Sequence, residues 1–187
     1  MKLLNNKKAL STVVTTLIIL VVSVLLATVV TFYAINVTTT RVQEESLFLT
    51  KPHVWYSASN GTPTAEAAII IINTGGRDVV IDKISVRGQE CDWSKVFYNI
   101  TSGSISADLS FNSTLVDGGV ITIGTSSYTF EQGTANQDLT LRSGYTMIVY
   151  IDDPDSISLN DIGITCGITV FTSNAQYYKE ANVQATD

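Results

Sequence analysis

Two hydrophobic patterns divide this chain. Residues 13–35 are apolar almost without interruption, broken by Thr15, Thr16, Ser23, Thr28 and Thr31 alone, and from Ala9 to Thr40 no residue carries a charge. Apolar side chains then fall on every side of a helix, so the pattern predicts a helix surrounded by apolar material. About 20 such residues at ~1.5 Å rise span the ~30 Å hydrocarbon core of a bilayer. No helix breaker follows until Pro52. The helix is therefore expected over residues 10–50, ~60 Å long and roughly twice the hydrocarbon thickness. Three consecutive β-branched residues, Thr38, Thr39 and Thr40, disfavour helix and mark where a break is expected.

After Pro52 the pattern becomes short and alternating. Strands are predicted over residues 67–72, 79–86, 93–98, 120–123, 128–131, 139–141, 145–151, 162–172 and 177–183. Turn residues punctuate them, among them Asn73-Thr74-Gly75-Gly76, Asp117-Gly118-Gly119, Ser143-Gly144 and Asp152-Asp153-Pro154-Asp155. Many short strands with frequent turns and no helical period predict an antiparallel β-sandwich, Ig-like, over residues 51–187. The expected fold class is thus α+β, a long N-terminal hydrophobic helix followed by a β-sandwich.

Composition supports this division. Hydrophobic residues make up 45% of the chain and charged residues 15%, but the two are segregated, as in a membrane element joined to a water-soluble domain. A net charge of −6, with 17 acids against 11 Lys and Arg, argues against nucleic acid as a partner. The one basic cluster, Lys2, Lys7 and Lys8, precedes the apolar run. With Glu44 and Glu45 on the other side, it places the N-terminus in the cytoplasm and the large domain outside.

Catalytic chemistry is not legible. His53 is the single histidine, so neither a hydrolase triad nor a multi-histidine metal site can be assembled, and no phosphate-binding or nucleophile-elbow motif occurs. No enzyme activity, cofactor or metal is expected. Asp152, Asp153 and Asp155 allow a calcium reading, but around Pro154 a solvated turn is simpler. Trp55 and Tyr56 are expected to pack the helix base against the sandwich.

The start of the chain admits three readings. The apolar run is too long for an ordinary signal peptide, whose core is about 7–15 residues. A plain single-helix anchor fits it. The third reading uses more detail: Lys7-Lys8-Ala9 followed by Leu10-Ser11-Thr12-Val13-Val14 resembles the class III signal peptide of archaeal type IV pilin-like proteins. The resemblance covers about the first 50 residues. It implies cleavage between Ala9 and Leu10, a leader of residues 1–9, and a helix that anchors the subunit in the membrane and later forms a filament core. It also implies a filament of identical subunits, a prepilin peptidase, an assembly ATPase with its membrane platform, and surface adhesion as the filament's task. Many bacterial pilins carry a glutamate where this chain has Val14, so a buried carboxylate pairing with the new N-terminus is not implied. An archaellin has the same layout. A rival of another class is a monomeric membrane-anchored β-sandwich that binds a partner.

Further residues carry candidate roles. Thr12, Thr16, Ser23, Ala27 and Ala34 recur at spacings of 4 and 7 and share one stripe of the helix, a candidate helix–helix contact face. The alternative is that the hydroxyls bond their own preceding turn. Cys166 falls on the apolar side of its strand with Ile164, Ile168 and Val170. In an exterior domain it is expected to pair with Cys91, closing a loop of about 75 residues for on the order of 4 kcal/mol; two buried thiols are the alternative. N-x-S/T triplets stand at Asn36, Asn60, Asn99 and Asn112. Asn36 lies at the membrane boundary and Asn60 is followed by Pro63. Asn99 and Asn112, in turn-rich regions, are the better glycosylation candidates.

Overall fold

A computed structural model describes residues 7–42, 44–58, 64–135 and 138–186 of the chain. It contains two compact units, residues 1–43 and 44–187.

The first unit is one helix, α1 (Lys7–Val42). The expected break at Thr38–Thr40 does not occur. The Thr39 hydroxyl donates to the Ile35 carbonyl at 2.9 Å and that of Thr40 to the Asn36 carbonyl at 2.8 Å, so both stay within the helical turn. The expected extension to residue 50 is not made either. Residues 47–50 open strand β1 (Leu47–Ser57), where Leu47 and Leu49 are buried and Phe48 is exposed. This alternation wins because each buried leucine joins a core, whereas continued helix would leave both in water.

The second unit is built of strands β2 (Thr64–Asn73), β3 (Val79–Val86), β4 (Gln89–Glu90), β5 (Val96–Thr101), β6 (Val120–Ile123), β7 (Ser126–Thr129), β8 (Glu131–Gln132), β9 (Leu139–Leu141), β10 (Thr146–Asp152), β11 (Thr165–Thr172) and β12 (Gln176–Thr186). One sheet runs β12-β1-β2-β10-β5-β8 and the other β4-β3-β11-β12, with β9 also on β3. β12 belongs to both sheets. Its first part pairs antiparallel with β11, and Val183 to Thr186 then pairs parallel with Val54 to Ser57 of β1. The sandwich is therefore mixed at this seam, not purely antiparallel. Trp93 to Lys95, expected as strand, forms a single 3-10 turn capped by the Asp92 carboxylate, which accepts from Ser94 N–H.

The main core lies between the sheets. β2 contributes Ala65, Ala67, Ile69 and Ile71, β10 contributes Met147, Val149 and Ile151, and Ile84, Val86, Ile168 and Val170 face them from β3 and β11. A second core covers the opposite face of β2 and β10. Ala68, Ile70, Ile148, Tyr150, Phe97 and Trp55 are buried there beneath Leu109, Ile121, Ile123 and Phe130. Segment 102–130 thus forms a third layer on a two-sheet sandwich. It explains why β2 and β10 read as near-continuous apolar runs: both faces are dry.

Two bulges invert the alternation within strands. The β1–β2 register shifts between Thr50 and His53, at Pro52 and beside Lys51 with φ 50°. The inward residues are Leu47 and Leu49 before it and Val54 after it. β3 shifts likewise, so Val79 and Ile81 point inward first and Ile84 and Val86 afterwards. The strict alternation expected over 79–86 is broken at that point.

Candidate functional site

The chemically distinctive element is α1. Leu10–Thr40 is long and apolar enough to cross a membrane. Six consecutive residues, Leu17, Ile18, Ile19, Leu20, Val21 and Val22, are all exposed, which on a helix means apolar surface in every direction. The Ala9–Leu10 bond lies in its first turn, and Leu10 is exposed.

The five stripe residues lie on one uninterrupted helix, within about 60° of one another at ~100° per residue. Their hydroxyls are committed inward. Thr16 Oγ1 donates to the Val13 carbonyl at 2.9 Å and Ser23 Oγ to the Ile19 carbonyl at 2.7 Å. Thr15, Thr28 and Thr31 bond the carbonyls of Ser11, Val24 and Ala27. What the stripe presents outward is small volume rather than hydrogen-bonding capacity. A separate shallow dip is lined by Val24, Ala27, Thr28, Thr31, Phe32 and Ile35; of the stripe residues it includes Ala27 alone, and it is centred about 100° round the helix from the stripe.

The β-domain answers the other expectations. Cys91 and Cys166 are separate thiols, so the expected disulfide is not formed. Cys166 does point into the core, as expected, but Ile164 is exposed. Register explains the missing bond. Cys91 N–H bonds the Ile84 carbonyl, placing Cys91 opposite Ile84, whereas Cys166 falls two residues before Ile168, the partner of Val86. The two lie about 13 Å apart along the strands and about 10 Å across them, against about 4.4–6.8 Å between Cα atoms in a disulfide. Burial pushes the Cys91 thiol up to about 11 and also raises that of Cys166, which keeps both protonated and unreactive. Protein unfolded without reductant will therefore yield two titratable thiols per chain; none would show that the cysteines pair.

The aspartate turn is occupied by a lysine. Lys95 Nζ donates to Asp155 Oδ1 at 2.8 Å and to the Asp153 carbonyl at 3.0 Å, so an ammonium holds the position a calcium reading needs. Among the described residues no group of three or more His, Cys, Asp or Glu is placed to hold a metal.

Asn99 lies within β5, not in a turn. Its Nδ2 donates to the Thr129 carbonyl at 2.7 Å, and its Oδ1 is buried without a partner. Asn112 lies in a loop, where its Oδ1 accepts from Thr114 N–H at 3.2 Å, closing a turn across the Asn-Ser-Thr triplet. Asn60 lies outside the described residues. Trp55 packs edge-on against Phe111 at 6.3 Å, and Tyr56 packs on the main core.

Sequence reasoning missed a row of clamps that hold segment 102–116 on the sheet. Lys51 Nζ donates to the carbonyls of Ile105 at 3.1 Å, Ser106 at 2.6 Å and Ala107. His53 Nε2 lies 2.9 Å from Asp108 Oδ1, and its ring stacks on Trp55 at 5.0 Å. Tyr150 donates to the Ser110 carbonyl at 3.1 Å. Asn112 N–H donates to both carboxylate oxygens of Glu66, which is 2% exposed. Lys51 and His53 sit on β1, Glu66 on β2 and Tyr150 on β10, so no single sequence spacing links them.

No protein-family model matches this chain, and no curated protein matches it in sequence. Among solved structures it is similar to a copper-bound PCuAC domain from PmoF2, with 15% identity, a TM-score of 0.32, and coverage of 76% of this chain and 99% of that one. It is also similar to ACE19, the collagen-binding subdomain of the Enterococcus faecalis surface protein ACE, with 9% identity, a TM-score of 0.30, and coverage of 72% and 97%. At these scores neither likeness carries an argument about this chain.

Proposed function

We propose that this chain is a structural subunit of an extracellular filament of the archaeal type IV pilus kind, with α1 as the polymerising core element and the β-domain displayed on the surface. The observation that carries the reading is α1 itself, 36 residues without a break and exposed and apolar on every side of its charge-free stretch. Such a rod suits lipid, and it equally suits a bundle of identical helices. In both settings the hydroxyls of Thr15, Thr16, Ser23, Thr28 and Thr31 are already bonded to carbonyls of their own helix. The small-volume stripe favours close approach of a second helix. The β-domain brings its own two cores, so it needs no partner to bury its apolar residues.

The partners follow from this reading: the membrane before assembly, a prepilin peptidase acting between Ala9 and Leu10, an assembly ATPase with its platform, and copies of the same subunit. The role is structural and adhesive, not enzymatic. A single-helix anchor displaying the same domain is the competing reading. Intact-mass measurement on protein sheared from the surface of its native cells separates the two. A subunit beginning at Leu10, in material that forms filaments under the electron microscope, supports assembly. Single molecules still carrying Lys7 and Lys8 would establish the anchor instead.

A further inference from the structure

The outward face of the β3-β11-β12 sheet carries a feature that the filament reading does not use. Gly167 on β11 has no side chain, and the edge of the Tyr178 ring from β12 lies against it. A Cβ at Gly167 would stand 2.1 Å from Tyr178 Cε2 and 2.7 Å from its Cζ. The Cε2–Cζ–OH edge of the ring therefore takes the space that a side chain at Gly167 would fill, as an aromatic residue fills a glycine gap in a sheet. Tyr178 is nevertheless 59% exposed. The hydroxyl donates to Glu180 Oε1 at 3.1 Å, which fixes the edge of the ring. Beside it a concavity of about 330 Å³ opens, lined by Lys83, Glu90, Thr169, Phe171 and Gln176 as well as Tyr178. Phe171 is already covered, with Lys83 Nζ 5.2 Å above its ring, and Lys83 is paired with Glu90 at 3.4 Å. One aromatic ring is thus exposed, held at its edge and rimmed by hydrogen-bonding side chains.

We propose that this groove binds a neutral hexopyranose unit of a glycan, with Tyr178 as its stacking platform. A pyranose ring presents a flat patch of C–H groups on one face and hydroxyls around its edge. The C–H face matches the open Tyr178 ring, and the hydroxyls match the carboxylate, amide, hydroxyl and ammonium groups of the rim. Other ligand classes fit less well. β11 is hydrogen-bonded to strands on both sides, so an added peptide strand has no edge to pair with. Glu90 and Glu180 disfavour phosphate and other anions. A quaternary ammonium group needs several rings around it, and here one is open. The proposal stands whether or not the chain polymerises.

The test uses the full chain in lipid nanodiscs, since sugar-headed detergents would compete, and protein made without attached sugars. Gluco-, galacto- and manno-configured neutral tetrasaccharides are titrated alongside a uronic-acid tetrasaccharide, with saturation transfer to sugar protons as the readout. At least one neutral sugar should bind, with transfer strongest to the C–H face, and the uronic acid should not. Y178A should weaken binding roughly tenfold, the scale of an aromatic stacking contact, and Y178F should retain it. Q176A, two residues before Tyr178 on the same face of β12, should weaken it independently and guards against a folding defect in Y178A. Unchanged affinity in both alanine variants, or no neutral sugar binding tighter than about 10 mM, would overturn the proposal. Repeating the titration with glycosylated protein separates the sources. Undiminished binding assigns the groove to foreign glycans, and lost binding assigns it to a sugar on the chain itself; both uphold the pyranose chemistry.

Discussion

Glu66→Gln will stabilise the β-domain at pH 8 by on the order of 4 kcal/mol more than it does at pH 4. Glu66 is 2% exposed on β2, beneath segment 102–116. Burial is the main influence on its carboxyl. The Asn112 N–H pulls the other way and the neighbouring Asp152 charge adds to the rise, so the value is pushed from 4.5 up to about 8. The folded chain therefore holds a proton that the unfolded chain has released between about pH 4.5 and 8. The contribution of this group is fully present below the unfolded value and is lost as pH rises through the folded one. Glutamine keeps an acceptor for Asn112 and removes the charge, so its advantage should grow across that window and then level off. Chemical unfolding followed by fluorescence of Trp55 and Trp93 at several pH values measures it. A difference between the two proteins that does not change with pH would show that Glu66 is not the buried acid described. Below this window the slope reverses. The Asp108 carboxyl is held low by its bond with His53, and that of Asp161 by Ser158 and Arg87. What these two groups contribute is lost as pH falls through their folded values.

The second large effect concerns the third layer. Ile69→Ala and Ile70→Ala should each cost about 3 kcal/mol, the usual range for emptying a buried isoleucine site. These neighbours point to opposite faces of β2, Ile69 into the main core and Ile70 into the second. In a two-layer sandwich one of the two would face water, and its loss would be nearly silent. Denaturant midpoints of the two variants distinguish the cases. A loss at Ile69 alone would remove the layer formed by segment 102–130.

Several parts of this fold were legible for simple reasons. The helix, the core strands β2, β10 and β11, and most turn positions follow from local pattern, because burial of one or both faces of an element writes a period into its own residues. Cys166 was placed inward correctly on the same ground. The missed elements share a different cause. β1 is hidden because its first residues, 47–50, fall inside the helix expected over residues 10–50, and because the bulge at Lys51 and Pro52 moves its inward set from Leu47 and Leu49 to Val54, so no single period covers both halves. The pairing of Cys91 with Cys166 could not be judged without register, since one residue sits opposite Ile84 and the other beyond the partner of Val86. The aspartate turn reads as a cation site only until Lys95 is seen within it.

The sequence by itself determined that an uncharged apolar rod is joined to an acidic, strand-rich domain, because solvent preference is a property of each residue and its near neighbours. Tertiary structure alone decided which strand joins the two sheets, which loop becomes a third layer, and that Lys51, His53, Glu66 and Tyr150 hold it there. It also decided that the edge of the Tyr178 ring lies against Gly167 while the side chain stays exposed. These outcomes depend on strand order and register, which bring together residues far apart in the chain and leave no periodic trace along it.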